Sequence, residues 1–328
     1  MLAAATLPLF AQNFGDITGT VTDPSGAVVA GANITVTNAA TNVARQVQTN
    51  ATGNYTAPFL VPGNYTVRAE LQGFRAATRT EVDLQVGAVA RIDFTMEVGG
   101  ISEAVVVKAD SALLASESTA LGTVVENKRI VELPLNGRNY LQLLSLSTNV
   151  TAEGGTSGSN ATKVGGDRST QNFSIAGTRI QFNNFTLDGI ANTDPNFNTF
   201  IFRPSIEAIQ EFKVETGIYS AEYGRNPGQI SVTTKSGTNQ YHGTLFEFLR
   251  NSSLDAREWL QSTGAKNPFR RNQYGFTFGG KLIRNRLFFM SNFEGLRDRK
   301  TTQTVAAVAT DRMRGGDLST AEIGRAHV

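Results

Sequence analysis

From residue 14 to residue 98, apolar and polar side chains alternate in short runs. Ile34-Thr-Val-Thr37, Tyr65-Thr-Val-Arg-Ala-Glu-Leu71 and Arg91-Ile-Asp-Phe-Thr-Met96 all repeat with a period of two. That period places every second side chain on one face of a strand, so each run predicts a half-buried antiparallel strand. The runs are separated by Asp23-Pro-Ser-Gly26, Thr52-Gly-Asn54, Val61-Pro-Gly-Asn64, Gln72-Gly73 and Val86-Gly87. Asp23–Gly26 suits a type I turn, with Pro second and Gly fourth. About seven strands at this spacing predict a small β-sandwich.

After Gly99-Gly100 the pattern changes. Ile101-Ser-Glu-Ala-Val-Val-Val-Lys-Ala109 is a short β-prone segment. Tyr140-Leu-Gln-Leu-Leu-Ser-Leu146 predicts an apolar helix that Asn139 can cap, and a Gly/Ser-rich loop follows at Gly154–Asn160. From His242 onward the runs are rich in aromatics: Gly243–Arg250, Gln273–Gly279 and Arg286–Phe293. In the second, Tyr274, Phe276 and Phe278 share one face, and Gln273, Gly275, Thr277 and Gly279 the other. Such alternation is expected of strands with lipid on one side and a lumen on the other. The fold expected is therefore mainly β: a seven-stranded sandwich, an α+β middle domain, and the first strands of an incomplete transmembrane barrel.

Composition narrows the function classes. Lys+Arg number 30 against 28 Asp+Glu, so global charge points to no nucleic acid. The basic group Arg270, Arg271, Lys281, Arg284 and Arg286 lies between aromatic strands without a nucleic-acid module, and reads as turn or loop charge. Cysteine is absent and histidine occurs only at 242 and 327. That leaves little material for a metal centre or a Ser-His-Asp triad, so no enzyme, cofactor or metal is expected. Asp188, Glu207, Glu211 and Glu222 sit at turns or strand ends and read as structural. No run reaches the roughly 18–20 apolar residues of a membrane-spanning helix, so a membrane role has to come through strands. Met1–Ala11 reads as the remnant of a signal peptide lacking its basic start.

Ordered motifs carry resemblances to known families. Gly15-Asp-Ile-Thr-Gly-Thr-Val-Thr-Asp-Pro-Ser-Gly26, Gly53-Asn-Tyr55, Val61-Pro-Gly-Asn-Tyr-Thr-Val67 and Gly73-Phe74 resemble the carboxypeptidase regulatory-like domain, with its transthyretin-like or carbohydrate-binding-like sandwich. The related collagen-adhesin domains often carry a Lys–Asn isopeptide bond, but the first lysine of this chain is Lys108. No sugar site is visible. Residues 114 to 235 resemble the plug of TonB-dependent receptors. The supporting strings are Val125–Arg138, Ser174–Arg179 and Phe185-Thr-Leu-Asp-Gly-Ile190 as paired strands around an LDG turn, Ser205–Val214, Ser220–Arg225 and Gln229–Asn239. His242-Gly, Phe246–Asn251, Leu254-Asp-Ala-Arg257 and Asn292-Phe-Glu-Gly295 are similar to the barrel start of Oar-like receptors.

These resemblances imply an outer-membrane receptor for energised uptake of an unidentified extracellular ligand, with the sandwich in the periplasm. They also imply strand addition to TonB through Glu103, Ala104, Val105, Val106, Val107 and Lys108, which are similar to a TonB box. The expected organisation is a signal remnant at 1–11, sandwich at 12–98, linker at 99–113, plug at 114–235 and barrel start at 236–322. Ile323-Gly-Arg-Ala-His-Val328 matches one reading frame of a common sequencing adapter, and the chain is expected to be truncated within the barrel. The competing reading is a surface adhesion protein of β-domains without transport; further barrel strands downstream would favour the receptor and further sandwich repeats the adhesin. The first block has its own alternating core. Residues 12–98 expressed alone are expected to unfold cooperatively, with β-type circular dichroism. A gradual, non-cooperative melt would remove the boundary at Gly99.

Overall fold

Alternation in the first block produces two sheets that close on one apolar core. The computed structural model describes residues 14–99, 105–108, 121–135, 138–153, 172–179, 182–195, 200–217, 219, 228–256, 267–300, 309–317 and 319. The first block holds β1 (Gly15–Thr22), β2 (Asn33–Asn38), β3 (Ala44–Gln48), β4 (Asn54–Leu60), β5 (Gly63–Glu70), β6 (Ala77–Leu84), β7 (Val89–Arg91) and β8 (Phe94–Thr95). The linker adds β9 (Val105–Lys108). One sheet has the order β4-β1-β7, with β8 also paired to β1; the other has the order β3-β2-β5-β6-β9. Ile17 and Val21 from the first sheet meet Ile34, Val36, Val67 and Val82 from the second, all fully buried.

Two features depart from the simple antiparallel sandwich. The chain has eight strands of its own in this block, because the run Arg91–Met96 does not form one continuous strand. Its N-terminal part extends β7 and its centre forms β8, and both pair with β1 in parallel. Between them the Thr20 N–H donates to the Asp93 carboxylate at 2.8 Å, while Ile92 and Met96 donate to Thr18 and Thr22 carbonyls. A side-chain acceptor thus replaces one ladder carbonyl. Periodicity records which face a residue occupies, but not the direction of the neighbouring strand.

Residues 121 onward form the second core. Its elements are β10 (Gly122–Glu126), α1 (Asn127–Glu132), a 3-10 helix at Tyr140–Leu146, β11 (Val150–Glu153), β12 (Asn172–Ile175), β13 (Asn183–Leu187), β14 (Ile190–Ala191), a 3-10 turn at Ile206–Ala208, β15 (Ile209–Thr216) and β16 (Gly228–Thr234). The sheet order is β10-β15-β16-β13-β14, with β13 parallel to β16 and its other pairs antiparallel. The expected helix is present, capped by Asn139, whose Oδ1 accepts from Leu141 N at 3.2 Å. It winds as a 3-10 helix. Three residues per turn line up Tyr140 with Leu143 and Leu141 with Leu144, giving two buried ridges against the sheet. The strings expected to pair around the LDG turn do not pair with each other: β12 pairs with β11, and β13 with β14 and β16. The turn itself is a two-residue hairpin, with Asp188 and Gly189 both at positive φ, which suits a right-twisted hairpin.

The aromatic region forms β17 (His242–Asn251), β18 (Phe269–Ile283) and β19 (Leu287–Lys300), in an open sheet of that order, followed by the short helix α2 (Asp311–Arg314). Face alternation is as expected: Tyr274, Phe276 and Phe278 are 43%, 36% and 45% exposed, whereas Gln273 and Thr277 are each 4% exposed. The chain divides into two compact units, residues 1–245 with 276–293, and residues 246–275 with 294–328. The first contains both cores and the ring contacts Tyr241–Phe278, Phe276–Phe293 and Phe278–Phe289. In the second, Arg271 binds Asp298 at 2.7 Å and stacks over Phe269. The signal remnant and the adapter-like end lie outside the described residues.

Gly19 marks the tightest point of the sandwich. A Cβ there would sit 1.8 Å from the Ile92 carbonyl oxygen, the same oxygen that accepts from the Tyr55 hydroxyl at 2.7 Å. Backbone can only yield by separating β1 from the β7–β8 edge. Gly19→Ala is expected to cost about 3 kcal/mol or more, at the upper end of single substitutions. The neighbouring half-buried change Thr20→Ala should cost less, about 1–2 kcal/mol, since it removes the hydroxyl's hydrogen bonds to Asn54 and from Arg91. Urea melts of the two variants would show whether that order holds.

Candidate functional site

The β-prone linker carries the segment expected to engage a partner, and the sheet of the second core carries the densest buried polar cluster. Val105–Lys108 form β9, which lies parallel to β6 in the register Ala77↔Val105, Thr78↔Val106, Arg79↔Val107 and Thr80↔Lys108. Glu103 and Ala104, the first two residues of the proposed partner-binding segment, lie outside the described residues. The chain is held to the sandwich up to Gly99. Arg75 N donates to Glu97 O at 2.8 Å, Gly99 N donates to Gly73 O at 3.0 Å, and Phe74 bridges Val98.

The plug sheet has two unlike faces. Val125, Phe212, Val214, Ile230, Val232 and Phe185 pack on Ile130, Tyr140 and Leu144. The opposite face carries Glu211, Lys213 and Glu215 on β15, Gln229, Ser231 and Thr233 on β16, and Thr186 on β13. Most of these are buried. Buried polar groups need partners. Lys213 binds Glu215 at 2.7 Å, Asn184 donates to Gln229 at 2.8 Å, and Thr186 bonds Ser231 at 3.1 Å. A bulge between Ile209 and Glu211 shifts the parity, which lets Ile209 join the apolar core ahead of Glu211 on the polar face.

The sandwich meets this polar face through its Val86-Gly87 turn. Val86 N donates to Glu211 Oε1 at 2.5 Å, and Lys213 Nζ donates to Gly87 O at 3.1 Å. Burial pushes the Glu211 carboxyl up to about 7, against the opposing Val86 hydrogen bond; the nearby Asp83 and Glu126 charges push the same way and Lys213 pulls it down. Asp83 is also raised, chiefly by burial and then by Glu126. On the same domain Arg138 and Glu207 form an ion pair at 2.7 Å, both nearly buried. Asp188 accepts from the Thr234 N–H and hydroxyl, each at 2.7 Å, tying the LDG turn to the end of β16. Thus Asp188, Glu207 and Glu211 each have a structural partner, and Glu222 lies outside the described residues. No group of His, Cys, Asp or Glu able to hold a metal occurs among the described residues.

The structure thus brings four of the six proposed partner-binding residues into a strand. It also reveals a contact that sequence reading missed, between Val86–Gly87 and Glu211/Lys213. The available signal was Glu211-x-Lys213-x-Glu215, three charges alternating with Phe212 and Val214 along one strand. Such a pattern shows that the face is polar, but not what covers it.

Three family models match consecutive stretches of the chain. The carboxypeptidase regulatory-like domain covers residues 16–97, the TonB-dependent receptor plug domain residues 114–229, and the outer membrane β-barrel domain residues 233–326. The TonB-dependent transporter Oar of Myxococcus xanthus is 28% identical over 320 residues, covering 92% of this chain. In its plug and barrel matches the chain is similar to the TonB-dependent receptors.

It spans 28% of the length of Oar. Among solved structures, the siderophore receptor PirA of Acinetobacter baumannii is 20% identical over 55% of this chain and 24% of its own, with a TM-score of 0.39. The ferric enterobactin receptor PfeA is 16% identical over 57% of this chain and 26% of its own, with a TM-score of 0.38. The 5-hydroxyisourate hydrolase of Klebsiella pneumoniae is 22% identical over 26% of this chain and 92% of its own, with a TM-score of 0.21. The barrel and plug matches place the chain in the outer membrane.

Glu211 makes the sandwich–plug contact sensitive to pH. Its carboxyl is raised in the folded chain, so the stability it contributes is full below its ordinary value of 4.5 and is lost as pH rises through about 7. The range is on the order of 3 kcal/mol at most. The melting temperature of the receptor chain should therefore fall between pH 5 and pH 8. Glu211→Gln, which keeps an acceptor for Val86 N–H, should flatten that slope and raise the melting temperature at pH 8. Parallel slopes for both proteins would show that Glu211 titrates normally.

Proposed function

We propose that the chain is the periplasm-facing and plug-bearing part of an energised outer-membrane transporter. The sandwich at 12–98 lies in the periplasm, 99–113 is the linker, the plug occupies 114–235, and 236–322 opens the barrel. The observation that best supports this reading is the combination, in one chain, of a plug-type sheet with strands that carry aromatics outward and Gln273 and Thr277 inward. Strands of that kind cross a bilayer only once closed into a barrel, where every backbone group finds a partner and the plug can fill the lumen. An extracellular ligand of unidentified chemistry is captured on the outer side. TonB engages Glu103–Lys108 by strand addition and draws on the plug from the periplasm. No cofactor enters this cycle.

The experiment is binding of the periplasmic C-terminal domain of TonB to the full chain in detergent. Strand addition is carried by backbone groups, so proline at Val106, which has no N–H, should weaken binding about tenfold, roughly the loss of one well-made hydrogen bond. Val106→Ala keeps the backbone donor and should bind nearly as the parent does. Equal affinity of parent and proline-bearing synthetic peptides of residues 101–110, which have no β6 to compete, would rule out strand addition at this segment.

A further inference from the structure

The outer edge of β6 offers eight residues of backbone, and among the described residues β9 covers Ala77–Thr80. Glu81, next along β6, adopts a positive φ of 61°, and the β5–β6 register shifts between Tyr65 and Val67 in the same region. A left-handed residue interrupts the regular edge, so the stretch that can take a parallel strand ends where β9 ends. Over the described residues the slot, Ala77–Thr80, and its occupant, Val105–Lys108, have the same length. The occupant is also tethered. Gly99 is hydrogen-bonded to Gly73, beside the start of β6, and only five residues, 100–104, separate it from Val105. A tether this short gives an effective concentration on the order of millimolar, above that of a freely diffusing periplasmic partner.

We propose that the edge of β6 is an intramolecular dock for Val105–Lys108, so that the regulatory-like sandwich and a β-sheet partner compete for the same strand. The proposal rests on the reading of Glu103–Lys108 as the TonB-binding segment. The sandwich thereby acts as a gate on partner engagement: the docked strand is withheld, and a partner must capture it when it leaves β6. Docking also satisfies part of an edge that would otherwise be open to pairing with other chains.

The chain has no cysteine, which allows a clean trap. Thr78 and Val106 stand opposite each other, and adjacent strands lie about 4.8 Å apart, within the Cα separation a disulfide bridges. In the full chain in detergent, Thr78→Cys with Val106→Cys should cross-link under mild oxidant as readily as the sandwich control Thr35→Cys with Arg68→Cys, which are opposite in the β2–β5 register. The oxidised 78–106 form should bind the TonB C-terminal domain at least tenfold more weakly than the reduced form, and reduction should restore binding. The control cross-link should leave affinity unchanged. Failure of the 78–106 pair to cross-link while the control does would overturn the dock. Equal affinity of oxidised and reduced forms would overturn the competition, because the partner would then be adding to the free outer edge of β9. If neither form binds and a synthetic peptide of residues 101–110 also fails, the TonB-binding reading of the segment falls, and the competition with it. If the peptide binds but the reduced chain does not, the strand is withheld even more firmly than proposed, and removing the β6 edge by Thr78→Pro should release it.

Discussion

An unpartnered backbone N–H or C=O costs free energy whether it faces a dry core or a lipid tail, and the sheets of this chain meet that cost in different ways. In the sandwich, β9 is laid along β6, and the β7–β8 edge is carried past its irregularity by the Asp93 carboxylate. The plug sheet keeps its fully buried strand, β16, between β15 and β13, and ends on a five-residue strand at one side and a two-residue strand at the other. The aromatic sheet is open as β17-β18-β19. For an outer-membrane barrel, closure is the form in which such edges disappear, and the outward Tyr274, Phe276 and Phe278 are placed for lipid.

Much of this was legible in the chain itself. Period-two runs located most of the sandwich strands, and Asp23-Pro-Ser-Gly26 and Asp188-Gly189 marked turns through residue types with a defined backbone preference. The faces of β18 were readable because one side is aromatic and the other is Gln, Gly and Thr. Pairing partners were not readable. Nothing in Val89–Thr95 says that it runs parallel to β1, nor in Val105–Lys108 that it seeks β6, because direction and neighbour depend on how the chain returns through space. The division of Arg91–Met96 into two pieces depends on one carboxylate finding one N–H.

The candidate site divides the same way. A β-prone segment is visible in Val105-Val-Val-Lys108, but its pairing with β6, and the break in that edge at Glu81, are visible only in the fold. The charges of Glu211, Lys213 and Glu215 are visible as a pattern, of which Glu211 alone was read as structural; in the fold Glu211 accepts from Val86 N–H and Lys213 binds Glu215 and Gly87 O. What the sequence could not convey is that a turn from the sandwich closes over them, which leaves a carboxyl desolvated enough to titrate near neutral pH. Burial by a distant segment is a property of the fold, and no local window contains it.

The placement of β10 has a mechanical consequence. Chain continuity means that any tension applied at the linker enters the plug domain at Gly122, the first residue of β10. β10 is an edge strand, paired along Gly122–Glu126 to β15 alone, whereas β15 and β16 each have neighbours on both sides. Of the strands in that sheet, the one that receives the load first is thus among those with fewest bonds to break. A pull would peel this strand before it disturbed the pair behind it, so the sheet has a built-in order of yielding.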